Sequence, residues 1–126
     1  SFPDDCRYAD SHEYAKAEAD ALRVGISAFA VDQLGDIVFV ELPEVGETLT
    51  AGQSFGSVES VKAVEDLVAP VSGVVQARNE AVLEDPQLLQ NDPYGEGWLL
   101  LVSSEAGTGL DALMDAATYR GKVEGH

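Results

Sequence analysis

Between Phe55 and Val68 small or polar residues alternate with apolar ones, and the alternation breaks once, at Ser60-Val61-Lys62-Ala63. A period of two puts successive side chains on opposite faces of a strand. The stretch therefore predicts a strand, a tight turn and a second strand, with Lys62 at the tip. The tip has no Asn-Gly pair, and Val61 would be strained at positive φ, so a type I turn or a slightly longer loop is expected. A lysine held there points its amine away from the body of the protein. Such a residue is ordinarily a solvated charge or a guard against edge-to-edge pairing. It is also where a long covalent arm would be mounted if it had to visit several active sites.

The rest of the chain is read in the same way. Arg7 to Ala15 predicts an early strand, Lys16 to Asp20 a charged turn, and Ala21 to Ile26 a second strand. At Ser27 the period changes: Ser27 can cap a short helix carrying Val31 and Leu34 on one face, and Gly35 can end it. Asp36 to Leu42 is β-branched and apolar, a strand. Thr48-Leu49-Thr50 predicts a short strand, and Val74 to Ala77 completes another after Gly73. Asn79 to Pro86 reads as a loop with one helical turn near Pro86-Gln87-Leu88-Leu89, and Leu99 to Val102 as the last strand. Leu110, Leu113, Met114 and Ala117 stand at i, i+3, i+4 and i+7, which predicts a C-terminal helix at about 109–120, capped by Thr108 with Asp111 and stopped by Gly121. The fold class is mostly β, a sandwich or flattened barrel with a short internal helix and a C-terminal helix.

Length and composition allow a single domain, 1–126, with a frayed N-terminus over 1–6. Apolar residues make up 45% of the chain, enough for a core. No apolar run approaches the ~20 residues of a membrane span, and Ser1-Phe2-Pro3-Asp4-Asp5 has neither a basic segment nor an apolar signal core. Seven Lys and Arg stand against 23 Asp and Glu, a formal charge of −16. So acidic a surface repels phosphate backbones and anionic lipid, and neither nucleic acid nor membrane is expected as a partner. Cys6 is the one cysteine and His12 and His126 the two histidines. They provide no internal disulfide, no metal set and no catalytic pair with an orienting group. The chain therefore reads as intracellular, with no catalytic residue indicated.

Around Lys62 the residues resemble a known family, the H-protein of the glycine cleavage system. The matching blocks are Leu34-Gly35-Asp36-Ile37-Val38-Phe39-Val40-Glu41-Leu42-Pro43, Glu59-Ser60-Val61-Lys62-Ala63, Ala69-Pro70-Val71-Ser72-Gly73 and Asp92-Pro93-Tyr94-Gly95-Glu96-Gly97-Trp98. An opening Tyr8 with Ser11-His12-Glu13-Tyr14 is similar too, with Tyr14 where the family usually has tryptophan. The resemblance implies a barrel-sandwich hybrid and lipoic acid in amide linkage on Lys62. Glu59 and Gly73 would be features that a lipoate ligase or lipoyl transferase recognises. It further implies a shuttle: glycine decarboxylase loads the arm with the aminomethyl group of glycine, aminomethyltransferase unloads it to tetrahydrofolate, and dihydrolipoyl dehydrogenase reoxidises the dithiol. The loaded arm would rest in a cleft at Ser11, Glu13 and Asp66. The family's frequent histidine at position 33 is Gln33 here, so no titrating contact is expected at that point.

Other carriers match less well. Lipoyl domains of 2-oxoacid dehydrogenases typically carry Asp-Lys at the tip and lack the Asp92 to Trp98 block, and biotin carriers place Met beside the lysine. An unlipoylated adaptor and a donor of lipoyl groups to other proteins stay open. Alanine richness and scarce lysine suit a bacterial cytoplasm, with the mitochondrial matrix the expectation for a eukaryotic source.

Overall fold

The period-two segments do become strands, and they sort into two antiparallel sheets. The computed structural model describes residues 2–18, 21–103 and 110–124. In chain order the strands are β1 (Arg7–Tyr8), β2 (Glu13–Glu18), β3 (Ala21–Ile26), β4 (Ile37–Glu41), β5 (Thr48–Leu49), β6 (Ser54–Ser60), β7 (Val64–Val68), β8 (Gly73–Arg78) and β9 (Leu100–Ser103). A six-stranded sheet runs β1-β2-β3-β9-β8-β5, and a three-stranded sheet runs β4-β6-β7. The first cluster of the core joins both sheets: Leu22, Val24 and Ile26 of β3 meet Val58 and Leu67 of the β6–β7 hairpin and Val75, Leu100 and Val102. Each such side chain stabilises the fold by about 1.5–3 kcal/mol on burial.

The internal helix α1 (Ala28–Leu34) has the ends expected of it. The Ser27 hydroxyl accepts from the Ala30 N–H, and Gly35 takes a left-handed φ of 76° beyond the last turn. Two further short helices, α2 (Glu80–Glu84) and α3 (Gln87–Asn91), occupy what reads in sequence as mostly loop. Asn79 caps α2 through the Ala81 N–H, while its side-chain amide donates to the Glu96 and Trp98 carbonyls at 2.7 and 2.8 Å.

The expected early strand is divided. β1 and β2 are separated by a turn at Ala9 to His12, and β2 continues to Glu18 through the predicted charged turn. Tyr14 on β2 lies flat over Gly25 of β3, where an added Cβ would fall 2.6 Å from the ring. Its hydroxyl, which needs a partner once buried, donates to the Pro93 carbonyl at 2.7 Å. In β4 the register shifts between Ile37 and Phe39. The extra residue of this bulge turns Val38 and Phe39 both to solvent, and each is about half exposed.

Both chain ends depart from expectation, for one reason. A second cluster gathers Cys6, Tyr8, Tyr14, Ala116, Tyr119 and Val123, with Phe2 and Met114 against it. The Tyr8 and Tyr119 rings stack at 4.6 Å, and Phe2 meets both edge-on. The Tyr8 hydroxyl donates to the Pro3 carbonyl at 2.9 Å. Phe2, Pro3 and Cys6 are thus packed rather than frayed, with Cys6 buried and Asp4 and Asp5 exposed; Ser1 lies outside the described residues. The same cluster displaces the C-terminal helix. Met114 exchanges both backbone hydrogen bonds with Tyr8 at 2.8 Å, so its backbone is extended. Leu110–Ala112 form only a single 3-10 turn, and the helix α4 is Ala116–Glu124. Asp115 starts it by accepting from the Thr118 N–H at 2.8 Å. Its buried face is Ala116, Tyr119 and Val123, Ala117 is exposed, and Gly121 lies inside the helix rather than ending it. The capping pair with Thr108 lies outside the described residues.

Candidate functional site

Lys62 is at the tip of the β6–β7 hairpin, and the turn is built by Ser60. Its N–H donates to the Ala63 carbonyl at 2.8 Å, and its hydroxyl oxygen accepts from the Lys62 and Ala63 N–H groups at 3.3 and 3.1 Å. Neither Val61 nor Lys62 has a positive φ, in keeping with the absence of Asn-Gly. The Val61 N–H donates to the Asp36 carbonyl at 3.0 Å, tying the tip to the junction of α1 and β4. The turn is therefore fixed while the lysine side chain is exposed. Lys16 pairs with Asp5 and Glu18, and Lys122 with Asp10, whereas Lys62 pairs with none of the described carboxylates.

The inner side of this tip opens on a cavity of about 460 Å³ lined by Ser11, His12, Glu13, Ile26, Phe29, Ala30, Gln33, Leu34, Val58, Lys62, Ala63, Glu65, Asp66 and Leu67. β3 and α1 supply an apolar wall, the hairpin supplies Lys62 and Asp66, the turn before β2 supplies Ser11, and the first residue of β2 is Glu13. Glu13 is 2% exposed. One of its oxygens accepts from the Ser11 hydroxyl and the other from the Val68 N–H at 2.9 Å, which joins the two sheets. Burial raises its pKa above the ordinary 4.5, and these hydrogen bonds only partly offset that effect. No cationic side chain among the described residues neutralises it. A long, mainly apolar arm ending in an amine fits this lining, because the apolar wall would cover its methylenes and Glu13 and Asp66 would face its charge. The residues therefore fit a lipoyl arm rooted on Lys62.

The cleft residues Ser11, Glu13 and Asp66 are brought together with Lys62. Gln33 also lines the cavity. Glu59 is not among them: it is exposed on the outer face of the three-stranded sheet, between Phe39 of β4 and Val64 of β7. Gly73 sits at the start of β8, where an added Cβ would fall 2.0 Å from the Ser103 carbonyl oxygen. That approach demands glycine whatever else recognises it. The Asp92 to Trp98 block acts at a distance. The Asp92 carboxylate accepts from the Gly95 and Glu96 N–H groups at 3.1 Å, and the Tyr94 hydroxyl accepts from the Ala28 N–H at 2.9 Å, fixing the start of α1.

Two features escape sequence reasoning. His12 has a left-handed φ of 80°, and its Nδ1 lies 2.6 Å from the Tyr119 hydroxyl oxygen. A histidine is one of the few side chains tolerated in that region, but nothing in the sequence marks its sign of φ.

The family model of the glycine cleavage H-protein matches residues 6–126. The chain belongs to the glycine cleavage H-protein family. A glycine cleavage system H protein of Synechococcus sp. (strain WH7803) is 66% identical over 122 residues, covering 97% of this chain and 95% of the relative. That of Prochlorococcus marinus (strain MIT 9303) is also 66% identical, with the same coverage. The crystal structure of an H protein from Mycobacterium marinum superposes with a TM-score of 0.89 at 45% identity, covering 97% of this chain and 98% of that one. Membership makes the chain a carrier component of glycine cleavage and agrees with the two-sheet lipoyl-carrier sandwich. No described helix is long and apolar enough to cross a membrane.

Proposed function

We propose that Lys62 carries lipoate in amide linkage and that the chain, as one domain over 1–126, shuttles the aminomethyl group of glycine between enzymes without catalysing a step itself. The observation that carries this reading is the fixed hairpin tip opening on a cavity that also holds Ser11, Glu13 and Asp66. When attached, the lipoyl group supplies a redox-active dithiolane that takes up and surrenders the cargo. The chain's own residues do the rest. Ser60 and the Asp36 carbonyl hold the tip, so the amine is presented without a search. The apolar wall from Ile26, Phe29 and Leu34 would cover the arm's methylenes. Glu13 and Asp66 offer carboxylates to the cargo amine, whose positive charge would favour the ionised form of Glu13.

The partners in this reading are glycine decarboxylase, aminomethyltransferase and dihydrolipoyl dehydrogenase, together with the lipoate ligase or lipoyl transferase that modifies Lys62. Glu59, exposed beside the tip, and Gly73 are the features proposed for recognition by that modifying enzyme. The cyanobacterial relatives favour a bacterial cytoplasm. The test is to incubate the unmodified chain with a lipoate ligase, lipoate and ATP and map the product by peptide mass. Lipoate should appear on Lys62 and on neither Lys16 nor Lys122. Lys62→Arg should fold but accept none, since a guanidinium is too poor a nucleophile to form the amide. Modification elsewhere, or none, would sink the carrier reading.

A further inference from the structure

We infer that Tyr119, on the C-terminal helix, is a positioning residue for the arm cavity and acts through His12 and Ser27. The inference rests on the reading of Lys62 as the carrier lysine and of the cavity as the shelter for its loaded arm. Ser11, His12 and Glu13 are consecutive, yet all three line the cavity. An extended strand cannot do this, because its side chains alternate between faces. The left-handed φ of His12 breaks the alternation. Such a backbone is unfavourable for a residue with a Cβ and persists only where its surroundings hold it.

Those surroundings are specific. The His12 N–H donates to the Ala9 carbonyl at 2.9 Å, the His12 carbonyl accepts from the Ser27 N–H at 2.8 Å, and the Ala9 N–H donates to the Glu13 carbonyl at 2.9 Å. The side chain is held as well. The Tyr119 hydroxyl oxygen lies 2.6 Å from His12 Nδ1 and 2.7 Å from Ser27 Oγ. One run of donors satisfies every member: Ala30 N–H to Ser27 Oγ, Ser27 O–H to Tyr119, and Tyr119 O–H to Nδ1. A single buried hydroxyl thus joins the wall that bears Glu13 to the cap of α1, which bears Phe29 on the opposite wall. α4 braces the cavity from behind without lining it.

The experiment compares Tyr119→Phe with Tyr8→Phe. Both remove one hydroxyl from the same ring stack, but the Tyr8 hydroxyl donates to the Pro3 carbonyl, with the Cys6 thiol and the Tyr94 hydroxyl beside it. In the unmodified chain, amide hydrogen exchange at Ala9 and Ser27 should quicken roughly three- to tenfold in Tyr119→Phe and stay at the wild-type rate in Tyr8→Phe. After lipoylation and loading with glycine and the decarboxylase, ammonia release following removal of that enzyme should quicken by a similar factor in Tyr119→Phe alone. His12→Gly, which accepts a left-handed φ but lacks the imidazole, should match it, and the double variant should be no faster than the quicker single one. Equal behaviour of the two tyrosine variants, or additive effects in the double variant, would overturn the inference while lipoate on Lys62 keeps the carrier reading intact. Failure of the wild type to accept lipoate would defeat that reading and this inference with it.

Discussion

At the residue scale, Glu13 sets the pH behaviour expected of the protein. Burial raises its folded pKa above the unfolded value near 4.5, so folding favours the protonated form. Its contribution to stability is fully present below the unfolded value and is lost as pH rises through the raised folded one. Glu13→Gln has no such titration, and its amide can still accept from the Val68 N–H and donate to Ser11. Stability of wild type relative to Glu13→Gln should therefore fall as pH rises above the unfolded value near 4.5. Urea unfolding of both across that range checks it, and a constant difference would contradict it. The substitution also removes the charge proposed to face the cargo amine. A charge-assisted hydrogen bond contributes on the order of 1.5–3 kcal/mol, so ammonia release from the loaded Glu13→Gln protein should quicken roughly ten- to hundredfold. Equal release rates would mean that Glu13 serves only to join the sheets. Cys6 makes a different residue-scale case. Burial, with Asp5 beside it, pushes its thiol up to about 11. Iodoacetamide should label it slowly in the folded chain and quickly after unfolding.

At the scale of elements, the C-terminal helix offers the sharpest test. Gly121 has no positive φ, and nothing lies within 4 Å of where its Cβ would be. Gly121→Ala should therefore stabilise the protein by roughly 0.5–1 kcal/mol, as expected for an exposed helix interior. A glycine that ended the helix in the left-handed region would give the opposite sign, and thermal unfolding separates the two. Legibility from sequence follows the same line between local and distant causes. The Lys62 hairpin, the Ser27 cap and the Gly35 stop are legible because neighbours in the chain create them. The Leu110 to Ala117 stripe misleads because Met114 is drawn into a bridge with Tyr8, a partner no local pattern discloses. In the site, Ser11, Glu13 and Asp66 are legible only through resemblance, since one carboxylate among 23 acids is unremarkable. The His12 backbone and its link to Tyr119 leave no periodic trace.

For the whole molecule, the charge of −16 is the dominant long-range property. Most of it is exposed and screened within about 10 Å at 0.1 M salt. Its effect should fall on encounter rather than on folding. Apparent affinity for glycine decarboxylase should weaken as ionic strength rises from low to physiological, chiefly through a slower association rate. An affinity independent of salt would mean that the charge serves solubility alone.

The contact of Tyr14 with Gly25 also limits the order in which a lineage can change. The ring occupies the space where any side chain at position 25 would begin, 2.6 Å from its Cβ. While an aromatic residue stands at position 14, each mutation away from Gly25 is blocked, whatever it might later offer. Position 14 can exchange one ring for another, but it must first lose its ring before position 25 is open to drift. The reverse path is closed too: once position 25 has acquired a side chain, no ring can return to position 14. This pair behaves as a ratchet across generations, and ancestral reconstructions should find the two buried sites changing in that sequence.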